Sequence, residues 1–319
     1  MAQHQRPATT AIAHSGAAML AGAAVLEGDE ASAQHVSVQG EHVAGHRSSF
    51  LPSSGHTNSR HTHSGAAHSG AAWATVSPQT PDTDWVAETR FGKWFLRTSI
   101  WLKYVLTDAV TDLKTLAAPH LPASIDRLMD VGCGQGTAFP LLQRAFAPMH
   151  ILGVDVDPDM LARAARYSQG SECTVELLRS SVTKLSLPDR CMDVVFCHQL
   201  IHHVADQKAA LRELHRVLKP GGVLLLSESC EAFISSWPVR WFFRHPSGVQ
   251  KNAAGYLELL RACGFSFSEC DVRAYTPWWS LPDLGLRRRI GRNATPSSAT
   301  PSSATPSSAT ELMVVARRA

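Results

Sequence analysis

Asp130, Gly132, Gly134 and Gly136 stand at alternate positions in "MDVGCGQG", residues 129–136, at the end of an apolar run. Glycine at these places removes the side chains that would hold the main chain away from a ligand, and it permits positive φ in a tight turn. A dinucleotide site would read GxGxxG, with a pyrophosphate on the helix that follows; here the third glycine comes one residue early. A second feature serves the same kind of ligand. Asp155 lies nineteen residues beyond Gly136, at the end of "ILGVD", where a carboxylate can accept both hydroxyls of a ribose. Both features suit an adenosine-containing ligand, and the glycines alone leave more than one nucleotide-type cofactor open.

From Arg127 onward, short β-type runs alternate with helical ones, which predicts an α/β fold with helices on a mainly parallel sheet. Seven strands are expected, over 127–131, 150–155, 174–179, 192–197, 223–228, 265–273 and 312–316. Helices are expected over 137–146, 158–167, 205–218 and 253–263. In the third, Leu211, Leu214, Val217 and Leu218 recur at three- and four-residue steps; Asp206 can cap its start and Pro220, Gly221 and Gly222 turn it into the next strand. No helical pattern separates the last two strands, so they are expected to pair antiparallel.

Four ordered blocks, "LMDVGCGQG", "ILGVDVDPDML", "LPDRCMDVVFCHQLIHHV" and "LRELHRVLKPGGVLLLSE", make the chain over about residues 125–275 resemble class I S-adenosylmethionine-dependent methyltransferases, specifically the type 11 group. The resemblance implies a Rossmann-like seven-stranded sheet with helices on both faces, an antiparallel C-terminal strand, and S-adenosylmethionine as cofactor. It also implies roles for single residues. Asp130, Gly132, Cys133, Gly134 and Gly136 would wrap the methionine part, Asp155 would hold the ribose, and Val156 would lie against the adenine. Ser181 and Val182 would close around the adenine edge, with Ser181 where the group usually has Asp.

Methyl transfer from a sulfonium depends mainly on positioning the nucleophile, and a base is needed only if the acceptor must lose a proton. The candidates for acceptor contact or proton removal are His198, His202 and Glu228, at the ends of the fourth and fifth strands; His198 also borders the cofactor site. His198 and His202 are four apart and could share a helical face. "HQLIH" lacks the Glu of HExxH and no third ligand is evident, so no metal site is expected.

All eight tryptophans lie outside residues 102–236: Trp73, Trp85, Trp94 and Trp101 precede the central blocks, and Trp237, Trp241, Trp278 and Trp279 follow them. Residues 91–116 read as an amphipathic helix able to cover the cofactor, and 231–290 as an acceptor-side segment whose aromatic residues could line an apolar pocket. The expected activity is methyl transfer to a small apolar or aromatic acceptor. An RNA or protein methylase, and a noncatalytic S-adenosylmethionine-binding protein, are the alternatives; the small charge and the lack of a recognisable nucleic-acid module argue against the first.

Composition is uneven along the 319 residues. Residues 1–83 are rich in Ala, Ser, Gly, Thr and His, repeat "HSGAA" three times and carry nine of the sixteen histidines, which predicts a disordered extension before a methyltransferase domain over 84–319. A second low-complexity tract, "ATPSSATPSSATPSSAT" at 294–310, reads as a flexible insert, beside a basic cluster, Arg287, Arg288, Arg289 and Arg292. The net charge of +3 implies no nucleic-acid partner, and no apolar run approaches the length that would insert stably in a bilayer. Seven cysteines without a CxxC pair suit a reducing cytoplasm.

Overall fold

The computed structural model describes residues 86, 89–168, 171–246, 248–281 and 308–319. The N-terminal extension, Trp85, the arginine cluster and most of the 294–310 tract lie outside these described residues. Among the described residues, eight strands form one sheet: β1 (Arg127–Val131), β2 (His150–Asp155), β3 (Thr174–Arg179), β4 (Met192–His198), β5 (Leu218–Ser229), β6 (Phe265–Ser266), β7 (Val272–Tyr275) and β8 (Glu311–Arg318). Their order is β3-β2-β1-β4-β5-β8-β6, with β7 also paired to β8. The first five are mutually parallel, and β8 runs antiparallel to β5, β6 and β7.

The central strands are continuous Leu/Val runs because both faces are covered. Along β5, Val223 and Leu225 join one core with Leu113, Phe139 and Leu142, while Leu224 and Leu226 join the other with Leu211, Leu214 and Leu260. The helices are α1 (Arg90–Phe95), α2 (Ser99–Trp101), α3 (Asp108–Ala117), α4 (Phe139–Phe146), α5 (Pro158–Tyr167), α6 (Gln207–Val217), α7 (Glu231–Ile234), α8 (Trp237–Phe242) and α9 (Ala253–Ala262). α3, α4 and α5 serve the first core, α6 and α9 the second. Capping side chains fix several starts. Asp157 accepts from Asp159 N at 2.9 Å ahead of Pro158, Asp206 from Ala209 N at 2.8 Å, and Asn252 from Gly255 N at 2.9 Å.

Two expectations are corrected. The strand expected over 265–273 is split into β6 and β7 by a 3₁₀ turn, Glu269–Asp271, where Ser268 and Asp271 cap each other. Asp271 also takes His120 Nε2 at 2.6 Å, so satisfying this buried carboxylate outweighs strand continuation. The helix expected over 91–116 is interrupted as well. A turn at 96–98, capped by Thr98, separates α1 from α2, and a π-helical segment, Leu102–Thr107, leads into α3. Leu113 and Ala117 of α3 are fully buried, so that half is a core helix, while Leu96 at the end of α1 meets Gln135 of the glycine loop.

Candidate functional site

The strand order reverses direction between β1 and β4, and a crevice opens beyond the carboxyl ends of such a pair. Val131 is level with Val154 of β2 on one side and with Cys197 of β4 on the other. Three segments therefore meet there: the glycine loop after β1, Asp155 at the end of β2, and residues 198–204 after β4.

Gly132, Gly134 and Gly136 have φ of 74°, 53° and 81°. Their surroundings differ. A Cβ at Gly132 would come within 2.9 Å of Leu200 Cδ1, and one at Gly136 within 2.7 Å of Phe139 Cε2, whereas one at Gly134 meets nothing within 4 Å. The outer glycines are thus required by packing as well as by φ, and Gly134 faces open space, where a ligand can approach bare main chain. Gly134 N donates to Asp155 Oδ2 at 2.8 Å and Asp157 N to Oδ1 at 2.9 Å. Each carboxylate oxygen keeps a further lone pair. Burial raises the Asp155 pKa, with those two amides opposing it.

Asp130 is buried and its Oδ2 has no partner; burial first, then Asp155, pushes its pKa up to about 8. An unpartnered buried carboxyl oxygen beside a bare glycine loop fits the cationic end of an amino-acid ligand. Cys133 is buried, and its thiol pKa is raised by burial and the nearby carboxylates. Val156 presents its carbonyl to Arg179 Nε at 3.2 Å. Ser181 Oγ pairs with Thr183 Oγ1 at 2.8 Å, while Val182 packs into the second core. From α1, Lys93 Nζ reaches Asp157 Oδ2 at 2.7 Å, and Gln135 Nε2 donates to Leu96 O at 3.4 Å, so this short helix is tied to the loops after β1 and β2.

The segment after β4 starts with Gln199 at φ 54° and continues into a 3₁₀ turn, Ile201–His203. His198 and His202 consequently do not share an α-helical face. Glu228, fully buried, accepts from Leu200 N at 2.9 Å, Ile201 N at 2.7 Å and His202 Nδ1 at 2.6 Å. It braces the loop, and His202 is the side chain it orients. His198 behaves differently. Its ring stacks on Phe196 at 5.8 Å and meets Trp101 edge-on at 5.6 Å, its Nε2 is buried without a partner, and burial pushes its pKa down to about 3. From Trp101 the aromatic contacts continue to Phe95, Phe243, Phe91 and Phe242.

Sequence reasoning missed three participants. Glu311, the first residue of β8, is level with Ser229 and accepts from Ser229 Oγ at 2.6 Å and Gln199 Nε2 at 2.9 Å. Burial pushes its pKa up to about 8. An acidic residue opening the apolar run "LMVVA" was the available signal. His203 and His245 pack against His202, with ring centroids 4.3 and 5.2 Å from it; nothing in the spacing of 203 and 245 indicated that they meet.

Residues 129–226 match the family described as "Methyltransferase domain". Phosphoethanolamine N-methyltransferase 3 of Arabidopsis thaliana is 29% identical over 140 residues, which is 44% of this chain and 28% of that protein. A Mycolicibacterium smegmatis protein named "Probable S-adenosylmethionine-dependent methyltransferase" is 33% identical over 144 residues, 44% of this chain and 52% of its own length. The chain thus spans about half or less of these relatives. A solved S-adenosylmethionine-dependent methyltransferase from Mesorhizobium loti aligns at 21% identity over 66% of this chain and 100% of that one, with a TM-score of 0.46. Among the described residues no helix is long and apolar enough to cross a membrane.

Proposed function

Because the chain carries a class I S-adenosylmethionine-dependent methyltransferase domain of the type 11 group, we propose that it transfers the methyl group of S-adenosylmethionine to a small molecule with an apolar or aromatic part. The sulfonium supplies an already activated methyl, so the protein's task is to hold the cofactor and present a nucleophile in line with it. In this reading Asp155 takes the ribose hydroxyls on its remaining lone pairs. Asp130 and the main chain of Gly132, Cys133, Gly134 and Gly136 take the methionine end. Val156, Ser181 and Val182 flank the adenine.

The observation that carries the acceptor reading is the aromatic wall that starts at His198 and runs through Trp101, Phe95 and Phe243 to Phe91. A flat apolar ligand gains both burial and ring contacts there. With its pKa near 3, His198 is a weak base at neutral pH, so its role is to orient the acceptor through Nε2 rather than to remove a proton. Glu228 and His202 act as positioning residues. They hold Leu200 against Gly132, which couples the acceptor loop to the cofactor loop.

A second reading has one observation in its favour. The plant relatives are named for phosphoethanolamine, and aromatic faces attract ammonium groups as well as rings. The seven free thiols suit a reducing cytoplasm for either reading. Labelled methyl transfer to a panel of phenols, quinols, apolar amines and phosphoethanolamine tests both. Labelled aromatic products that diminish in Trp101→Ala support the first; labelling of phosphoethanolamine alone replaces it with the second.

A further inference from the structure

We infer that His202, His203 and His245 form a binding site for a divalent transition metal of the zinc class. The ring centroids of His203 and His245 lie 4.8 Å apart, closing a triangle whose other sides are 4.3 and 5.2 Å. One candidate ligand nitrogen from each ring lies within 4.8 Å of the other two. Zinc takes imidazole at about 2.0–2.1 Å, so ligand nitrogens sit roughly 3.3 Å apart around it. Binding therefore requires the three rings to draw closer together.

Two further contacts match what such a site requires. His202 Nδ1 is already bound to the Glu228 carboxylate at 2.6 Å, which leaves Nε2 to face a metal. A carboxylate behind a ligating imidazole is the usual means of fixing its tautomer and orientation. Gln250 Nε2 donates both to His202 O at 3.0 Å and to Pro246 O at 3.1 Å, so one side-chain amide bridges the first ligand and the residue after the third. Three neutral nitrogens suit zinc, cobalt or nickel better than magnesium or calcium, which select oxygen ligands.

The site joins the loop after β4 to the segment after α8. A metal there ties Phe242 and Phe243 to the loop after β4, and a three-histidine set leaves a coordination position for water. It does not depend on the methyl-transfer reading, because it uses no cofactor residue.

The full chain, stripped with a chelator and titrated with Co²⁺ and Zn²⁺ in the absence of S-adenosylmethionine, tests this. The nine histidines of residues 1–83 are present in wild type and variants alike, so the readout is a difference. His245→Ala is expected to bind one metal equivalent fewer per chain and to lose part of the cobalt visible absorption. Glu228→Gln is expected to keep the number of equivalents and to weaken this one roughly 10- to 100-fold. Should Glu228→Gln fail to fold, His203→Ala takes its place, with the loss of the same equivalent expected. Identical stoichiometry, affinity and spectrum in wild type and His245→Ala would overturn the inference.

Discussion

The main-chain N–H of Gly134 donates to Asp155 Oδ2 at 2.8 Å, so the middle glycine of the loop and the carboxylate at the end of β2 form one unit. Asp155→Ala removes the carboxylate proposed to take the ribose and leaves Gly134 and Asp157 without an acceptor for their amides. Charge-assisted hydrogen bonds contribute about 1.5–3 kcal/mol. The expected loss of S-adenosylhomocysteine affinity is therefore roughly 10- to 100-fold, with a smaller loss in Asp155→Asn. Calorimetry decides; unchanged affinity in a folded Asp155→Ala chain removes the ribose assignment.

Asp130, with its pKa near 8, is largely protonated at pH 7 before a ligand arrives. A cationic cofactor favours the carboxylate, so binding S-adenosylmethionine should release part of a proton. The apparent binding enthalpy at pH 7 is then expected to vary with the ionisation enthalpy of the buffer. Asp130→Asn should abolish that dependence. Wild type with no buffer dependence would contradict the placement of Asp130 at the cofactor's cationic end.

The glycines separate stability from binding. At Gly134, alanine meets open space and costs about 1–2 kcal/mol through its positive φ alone. At Gly136, alanine also presses on Phe139, and the cost rises to about 2–5 kcal/mol. Gly134→Ala should thus stay folded yet bind S-adenosylhomocysteine poorly, while Gly136→Ala should show the larger drop in denaturant midpoint. Equal midpoints for the two would show that Phe139 does not set the requirement at Gly136.

Glu311 gives the fold a pH dependence. Its carboxyl, raised by burial from 4.5 to about 8, holds in the folded chain a proton that the unfolded chain gives up. Its stabilising contribution is complete below pH 4.5 and is lost as pH rises towards 8. In Glu311→Gln the decline in urea midpoint between pH 5 and pH 8 should be shallower than in wild type. A parallel decline would assign the effect to other groups.

The juxtaposition of the glycine loop with Asp155 was legible because it is local. Asp130, the three glycines and Asp155 belong to one strand-loop-helix-strand unit, and parallel pairing of β1 with β2 brings its two ends together without any long-range information. The arrangement after β4 was not. Glu228 is a plain acidic residue at a strand end until the fold brings Leu200, Ile201 and His202 to it across 26–28 positions. Gln199 and Glu311 are 112 positions apart and meet because β5 pairs antiparallel with β8. The helical face expected to join His198 and His202 fails at Gln199, whose left-handed backbone conformation no spacing rule anticipates.

The glycine loop with Asp155 is proposed to bind the sulfur nucleotide and not a dinucleotide. S-Adenosylhomocysteine, S-adenosylmethionine and NADH, each titrated separately into the full-length chain by calorimetry, test it most directly. Saturable binding of both sulfur ligands at one per chain, with no heat from NADH, is the predicted result. Binding of NADH alone, or of none of the three by a chain shown to be folded by circular dichroism, would contradict it.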